Sequence, residues 1–166
     1  MRANWHCNWV FRCIHDGKVI WRDSIHNLLV TEGNKALTDV IMRANDTTYF
    51  PVTNFYVGLY RGSVSKATTL ATMPGEPSSN GYSRLVIERS EVGFPTLELD
   101  DDGDWRAVSK EITLTASGGD IGPIDGGFLG TSIDNTGVLI GVVAASVQRT
   151  VKAGDSMIIQ LKAKIK

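Results

Sequence analysis

The densest group of possible metal ligands in this sequence is the acidic run from Glu98 to Asp104 (ELDDDGD). Its carboxylates alternate and Gly103 takes the sixth position, as in the first half of an EF-hand loop, where alternate oxygen atoms surround a calcium ion. The twelfth position of such a loop must be a bidentate glutamate, but here it is Ser109, and a β pattern follows it instead of a helix. We therefore exclude an EF-hand and predict a solvated acidic turn, while a looser calcium site in this loop stays open.

Four residues near the N-terminus could bind zinc, namely His6, Cys7, Cys13 and His15. Structural zinc sites usually gather ligands about two to five residues apart at a turn, whereas these lie along one extended segment, with His6 on the opposite face from the others. The two cysteines would be about 20 Å apart on a straight strand, beyond the ~7 Å that a disulfide requires. We predict buried, reduced thiols and no metal centre.

The glycine-rich segment 118–130 (GGDIGPIDGGFLG) is not predicted to bind phosphate, because it lacks a G-x-G pair and a G-K-[ST] ending and no helix pattern follows it. The chain also has no G-x-S-x-G nucleophile elbow. None of the three histidines adjoins an acid–serine pairing, and no carboxylate pair has support for acid–base chemistry. We predict no catalytic residue and no cofactor, so the protein is expected not to be an enzyme.

Lys162, Lys164 and Lys166 alternate along the last predicted strand and form a basic stripe on one of its faces. A nucleic-acid surface would need more basic residues with interleaved aromatic side chains. Charge on an edge strand more often prevents unwanted strand pairing. The stripe is therefore predicted either to protect an edge or to bind an acidic surface of a protein partner.

Three of the four tryptophans, Trp5, Trp9 and Trp21, lie within the first 21 residues. Their aromatic area is sufficient to anchor an interface, and the same residues are suited to filling a core. Both interpretations stay open, and we place core packing first.

One segment, residues 31–44, predicts a helix. Thr31 is placed to cap the first turn and Glu32 carries negative charge into it. Apolar residues then recur at the spacing of one helical face. These residues are Ala36, Leu37, Val40, Ile41 and Ala44.

The rest of the chain alternates like β structure and is divided by turns. The first predicted strand is half-buried, with one face formed by Trp5, Cys7, Trp9, Phe11 and Cys13, and the last strand is predicted to direct Met157, Ile159, Leu161, Ala163 and Ile165 inward. Residues 61–81 are polar and rich in turn residues, which predicts a long surface loop. The chain is predicted to be one domain, 1–166, with the fold of a β-sandwich of jelly-roll type and one helix. The predicted strands are 4–15, 18–25, 54–60, 82–89, 108–116, 127–133, 137–147 and 156–165.

The turn Asp16-Gly17 connects the first two predicted strands. A two-residue loop would mix the two faces of the hairpin. We therefore predict a three-residue loop that pairs Cys13 with Val19 and Phe11 with Trp21, because this register keeps the aromatic residues on one side.

The composition limits the partners. At 166 residues with a net charge of −1, the chain has no general attraction to nucleic acid. No apolar run approaches the ~20 residues that span a bilayer, and the N-terminus does not have the pattern of a signal peptide. The protein is expected to stay in the compartment in which it is made, without binding nucleic acid or membrane.

Several short motifs resemble a family of tailed-bacteriophage virion structural proteins. They are Asn27-Leu28-Leu29-Val30-Thr31 followed by Gly33, Ala36 and Leu37, then Tyr56-Val57-Gly58-Leu59, Gly126-Gly127-Phe128-Leu129 and Ala153-Gly154-Asp155. The resemblance implies a particle component such as a head-decoration (cement) or tail protein.

From this resemblance we expect a non-enzymatic capsid decoration protein in the virion, made and assembled in the host cytoplasm. Its expected partners are the major capsid protein and further copies of itself. A tail or tail-fibre-associated protein is the first alternative. A carbohydrate-binding β-sandwich is the second, and it would place Tyr49, Phe50 and Tyr56 around a shallow site.

Overall fold

The computed structural model describes residues 5–43 and 53–165, with side chains described for these residues apart from 38–43 and 165. The described chain is mainly β, with one α-helix and a single turn of 3-10 helix at Leu70–Thr72. The strands are β1 (Trp5–His15), β2 (Lys18–His26), β3 (Leu28–Leu29), β4 (Asn54–Tyr60), β5 (Leu85–Glu88), β6 (Thr96–Leu99), β7 (Trp105–Val108), β8 (Ile112–Thr115), β9 (Ile121–Gly130), β10 (Leu139–Val151) and β11 (Ser156–Ile165), and the helix α1 is Thr31–Arg43.

The strands form two antiparallel sheets around a shared apolar core. The first sheet has the order β2-β1-β11-β7-β6, and β8 also pairs with β11. The second sheet has the order β3-β10-β9-β4-β5. The core draws buried side chains from both sheets and from α1. A mainly β fold with one α-helix is confirmed, and the arrangement is consistent with a β-sandwich.

The pairing of β1 with β11 brings together the inward faces that alternation predicted for both strands. Trp9 lies opposite Leu161 and Phe11 opposite Ile159, and all four side chains are buried. The predicted inward direction of these residues is therefore confirmed, because alternate residues of a strand share one face.

Both cysteines are free and fully buried on the inner face of β1. Burial disfavours the charged thiolate and raises the pKa of Cys7 to about 12 and that of Cys13 to about 11. The prediction of buried, reduced thiols is confirmed for both residues.

The predicted register of the first hairpin was wrong. Asp16-Gly17 forms a two-residue turn with φ angles of 46° and 74°, the left-handed conformation that matches the twist of paired strands. A bulge then shifts the register, so that Cys13 lies opposite Trp21, not Val19. Phe11 accordingly does not pair with Trp21. The bulge brings the inward faces of the two strands back into register. The prediction had assigned this effect to a three-residue loop.

Helix α1 begins at Thr31, as predicted. The N-cap residue is Val30, because its carbonyl accepts a hydrogen bond from the Asn34 amide at 2.9 Å. The predicted capping by Thr31 was therefore wrong. Glu32 accepts a hydrogen bond from the backbone N–H of Leu139 in β10, at 3.0 Å. Gly33 allows this close approach, because a Cβ atom there would lie 2.0 Å from the Ile140 carbonyl oxygen.

The predicted apolar face of α1 is described in part. Ala36 is fully buried, and Leu37 packs against the main core. The side chains of Val40 and Ile41, and the whole of Ala44, lie outside the described residues.

Three short strands, β3, β6 and β7, were not predicted. The continuous apolar segment near the C-terminus forms β10, and it is buried on both faces over residues 139–143. The predicted loop 61–81 contains no strand, but Leu70 within it is fully buried against the second sheet.

A buried arginine holds the end of this loop in place. Arg84 has only 4% of its side chain exposed, and its Nε and Nη2 atoms donate to the two carboxylate oxygens of Glu76 at 2.8 and 2.6 Å. The guanidinium also donates to the Ser132 carbonyl at 2.9 Å and to Asn135 Oδ1 at 2.5 Å, and it lies 5.0 Å from the centre of the Phe128 ring. Arg84 therefore connects the 61–81 loop to the loop between β9 and β10.

We predict that Glu76→Gln lowers the free energy of unfolding by about 3 kcal/mol, because it leaves the Arg84 charge buried without its counterion. Lys152→Gln is the matched control, since Lys152 pairs with Asp120 at 2.7 Å with 67% and 43% of the two side chains exposed. Because solvent screens this exposed pair, its loss is expected to change stability much less. Urea denaturation measures both values, and equal small losses would contradict a structural role for Arg84.

Candidate interaction surface

The predicted basic stripe does not lie on an edge strand. Strand β11 is hydrogen-bonded to β1 on one side and to β7 and β8 on the other, so the interpretation of the lysines as edge protection was wrong. Lys162 and Lys164 do share the outer face of the first sheet, opposite Asn8 and His6 of β1. Lys166 lies outside the described residues.

Lys164 is bound by the acidic run and is not available to a partner, which corrects its predicted interface role. The run forms the turn of the β6–β7 hairpin, in which the Asp100 carboxylate accepts the backbone N–H groups of Asp102 and Asp104, each at 3.0 Å. Lys164 Nζ donates a hydrogen bond to the carboxylate of Asp100. It also lies 3.1 Å from the carboxylate of Asp104 and 3.4 Å from the carboxylate of Asp102. Only 15% of the lysine side chain is exposed.

The ammonium group of Lys164 occupies the place where a cation would bind. One oxygen from each of Asp100, Asp102 and Asp104 lies within 4.8 Å of the others. The hydrogen bond from Lys164 is the main cause that lowers the pKa of Asp100 to about 2, and the same contact raises the pKa of Lys164. The predicted solvated turn is thus an internal ion cluster, which a divalent cation could enter only by displacing the lysine.

Beside this cluster, the outer face of the first sheet has a depression of about 330 Å³. Its charges have both signs, because Lys162 and Arg106 line it together with Asp101 and Asp102. Arg106 is itself paired with Glu98 at 2.7 Å. This face is therefore not the basic docking surface that the lysine spacing predicted.

The N-terminal tryptophans belong to the core. Trp9 is fully buried and stacks on Phe11, with ring centroids 5.8 Å apart, so its predicted role as an interface anchor was wrong. Trp5 and Trp21 are partly buried and pack against the same core, and the guanidinium of Arg149 lies 5.0 Å from the Trp21 ring. Alternation directs all three indoles toward the space between the two sheets, and Trp9 alone is fully excluded from solvent there.

The tryptophan that is exposed is Trp105, with 61% of its surface accessible. In the β6–β7 hairpin it lies opposite Leu99, and Leu97 lies opposite Ala107. Leu97 and Leu99 are 67% and 56% exposed. We call these three exposed residues, Leu97, Leu99 and Trp105, the apolar edge surface.

The apolar edge surface lies on the side of the first sheet that faces the core. Ala107 of β7 pairs with Ala163 of β11, which in turn pairs with Cys7 on the inner face of β1. The second sheet does not cover the hairpin at this edge, so Leu97 and its neighbours are exposed although their direction is inward. A cleft of about 290 Å³ with almost entirely apolar walls adjoins this region, lined by Trp5, Phe94 and Ala107 among others.

This surface was not predicted from the sequence, because the acidic run was interpreted as an isolated loop. The signal was available, since the alternating segments TLEL and WRAV flank a turn that contains Gly103, and this pattern is typical of a hairpin. Of the aromatic residues named for a carbohydrate site, Tyr56 is partly buried in β4, and Tyr49 and Phe50 lie outside the described residues.

A histidine–carboxylate pair lies at the other end of the first sheet. The Asp155 side chain is 2% exposed, and its carboxylate is 2.5 Å from Nδ1 of His15, while Nε2 is 3.4 Å from the Asp16 carboxylate. The hydrogen bond to Asp155, and then the charge of Asp16, raise the pKa of His15. The nearby Cys13 thiol has a pKa raised to about 11, so it stays protonated and is a poor nucleophile.

We predict that the His15–Asp155 pair makes stability depend on pH. Because the pKa of His15 is raised in the folded state, its contribution is fully present below the ordinary value of 6.5 and is lost as pH rises through the folded value. The stability difference between wild type and His15→Gln should therefore shrink as pH rises above 6.5. Urea denaturation at each pH measures it, with Asp16→Asn as a control that retains the Asp155 contact. A difference independent of pH would contradict the linkage.

We predict that Lys164→Gln lowers the melting temperature much more than Lys162→Gln, because it leaves three carboxylates without their cation. EDTA should not change the melting temperature of the wild type. Calcium should raise that of Lys164→Gln, since a ligand bound only by the native state stabilises it by mass action. A wild-type melting temperature that falls in EDTA would show that the turn holds a metal ion together with the lysine.

Within the described ranges, no helix is long and apolar enough to cross a membrane. Comparison of the chain with protein-family models, with curated proteins and with solved structures gave no match. The resemblance to tailed-phage structural proteins therefore stays a prediction, and the exposed edge of the first sheet is the feature from which a function is argued.

Proposed function

We propose that the protein is a non-enzymatic structural component of a tailed-phage particle, and specifically a capsid decoration (cement) protein on the outer shell. The observation that carries the proposal is the apolar edge surface, where Leu97, Leu99 and Trp105 are more than half exposed on a regular hairpin. Exposed apolar groups that are contiguous mark interaction sites, and tryptophan is enriched among the residues that dominate binding energy.

The scaffold around this surface suits a structural role. The hairpin is held by ion pairs at its turn and across its two strands, because Lys164 binds the Asp100–Asp104 turn and Arg106 binds Glu98. A surface that is ordered before binding loses little conformational entropy when it binds. Many weakly bound copies on one lattice then reinforce it through multivalency. The proposed partners are the major capsid protein and further copies of this chain.

The jelly-roll subtype is part of this proposal. The nested pairing of β1 with β11 and of β3 with β10 supports this subtype. The direct pairing of β9 with β10 within one sheet is a local hairpin added to that pattern.

We predict that wild-type protein co-sediments with undecorated capsids and that Trp105→Ser weakens this binding at least tenfold, as expected when a buried anchor is truncated. Because the contact is apolar, salt should change the affinity little. Ile133→Ser is the matched control, since Ile133 is 63% exposed in the loop between β9 and β10. Binding to purified tails but not to capsids would replace the decoration role by the tail alternative. Binding to neither would overturn the proposal.

A further inference from the structure

We propose that a second copy of this chain covers the apolar edge surface, by antiparallel pairing of β6 with β6 of that copy about a two-fold axis. The proposal deepens the function proposed above, on which it rests, because it names the partner of the same surface. Copies that are paired through β6 bind the shell together, so Trp105→Ser weakens capsid binding by removing this pairing. It is argued from the free edge of β6, the arrangement of its side chains, its charges and the area that it exposes.

The main chain of β6 is available for pairing. Among the described strands, β6 pairs only with β7, so its other side is an edge of the first sheet. Natural monomers usually protect such an edge with charged side chains, proline or a bulge. Here Pro95 precedes the four-residue strand and Glu98 lies on its outer face, but the inward-facing residues at the edge are Leu97 and Leu99, and no bulge interrupts the pairing with β7. The edge is therefore a template for strand addition.

The side chains of β6 are complementary to their own copy. An axis through Glu98 and perpendicular to the sheet places Leu97 of each copy opposite Leu99 of the other, on the inward face. Trp105 already lies opposite Leu99 within each hairpin. Pairing thus creates two equivalent rows in which Trp105, Leu99, Leu97 of the other copy and its Ala107 follow one another across four strands. A peptide of unrelated sequence would have to supply matching apolar residues at alternate positions.

The charges do not oppose this arrangement. The two Glu98 side chains would face each other on the outer surface, where like charges directly opposite are destabilising. Each carboxylate is already paired with Arg106 of its own chain, whose Nε and Nη2 atoms lie 2.9 and 2.7 Å from Glu98 Oε1. Asp100, which follows the strand, is neutralised by Lys164. Glu98 and Asp100, which lie at the proposed β6–β6 interface, are thus both paired within their own chain.

The exposed area indicates a weak dimer. With 67%, 56% and 61% of their surfaces exposed, Leu97, Leu99 and Trp105 together offer roughly 350 Å² of side-chain surface per copy. Two copies with their strand backbones approach the ~1,000 Å² at the lower limit of specific interfaces. We therefore expect association that depends on concentration in the micromolar range.

Sedimentation equilibrium of the full chain tests the proposal. Wild-type protein is expected to dimerise with a dissociation constant in the micromolar range. Leu97→Lys should weaken dimerisation at least tenfold, because it places charges at the β6–β6 interface. The control is Ile133→Lys, since Ile133 is similarly exposed but lies in the loop between β9 and β10. This variant should dimerise like wild type. Melting temperatures of all three proteins verify that they are folded.

A cysteine placed on the proposed axis tests the register. Residues directly opposite in an antiparallel pair have Cα atoms about 4.5–5.5 Å apart, within the range for a disulfide. Glu98→Cys should therefore oxidise to a disulfide-linked dimer, whereas Thr113→Cys, exposed on β8, should form no disulfide-linked dimer under the same conditions. The natural cysteines do not interfere, since both are fully buried.

Wild-type protein that stays monomeric at every concentration, with no preferential cross-linking of Glu98→Cys, overturns the dimer. If this monomer still binds capsids through Trp105, the edge is occupied by a capsid subunit and the proposed function stands. A dimer that forms as expected but binds no capsid supports the pairing of β6 and overturns the decoration role instead.

Discussion

The long antiparallel pairing of β1 with β11 is the constraint on which the rest of the structure depends. Strand β11 lies within the first sheet and connects β1 on one side to β7 and β8 on the other. The register sets both faces at once, because Trp9 and Leu161 meet in the core while His6 and Lys164 meet outside. Almost every later feature, including the position of the β6–β7 hairpin, follows from this pairing.

The distribution of charge is the first consequence. Lys164 is directed to the outer face by alternation, and β7 beside it brings the Asp100–Asp104 turn to the same place. The pairing of Lys164 with these carboxylates removes the basic stripe and neutralises part of the acidic loop. Arg84 and Glu76 form a second ion pair, beside the second sheet, in which a buried arginine is neutralised by a carboxylate. The surface is left with few unpaired charges near its apolar edge.

The exposure of that edge is the second consequence. The two sheets have different widths at the end that contains β6, so inward-facing side chains continue beyond the part that the second sheet covers. Hydrophobic residues exposed in this way have the direction of core residues without a neighbour to contact, which is the physical reason to expect a partner there. A paired-strand dimer would extend the first sheet and bury the same side chains, so the scaffold and the interaction surface share one architecture.

The sequence by itself determined the alternation of β1 and β11, the burial of Cys7 and Cys13, and the start of α1, because these depend on the period of a single element. Tertiary structure alone decided that the charge of Lys164 is paired, that Arg84 is buried and that Trp105 is exposed. Lys164 meets Asp100 across 64 residues of chain, and nothing in local periodicity specifies which strand becomes a neighbour. Periodicity states which side chains share a face, whereas the order and width of the sheets decide what, if anything, covers that face.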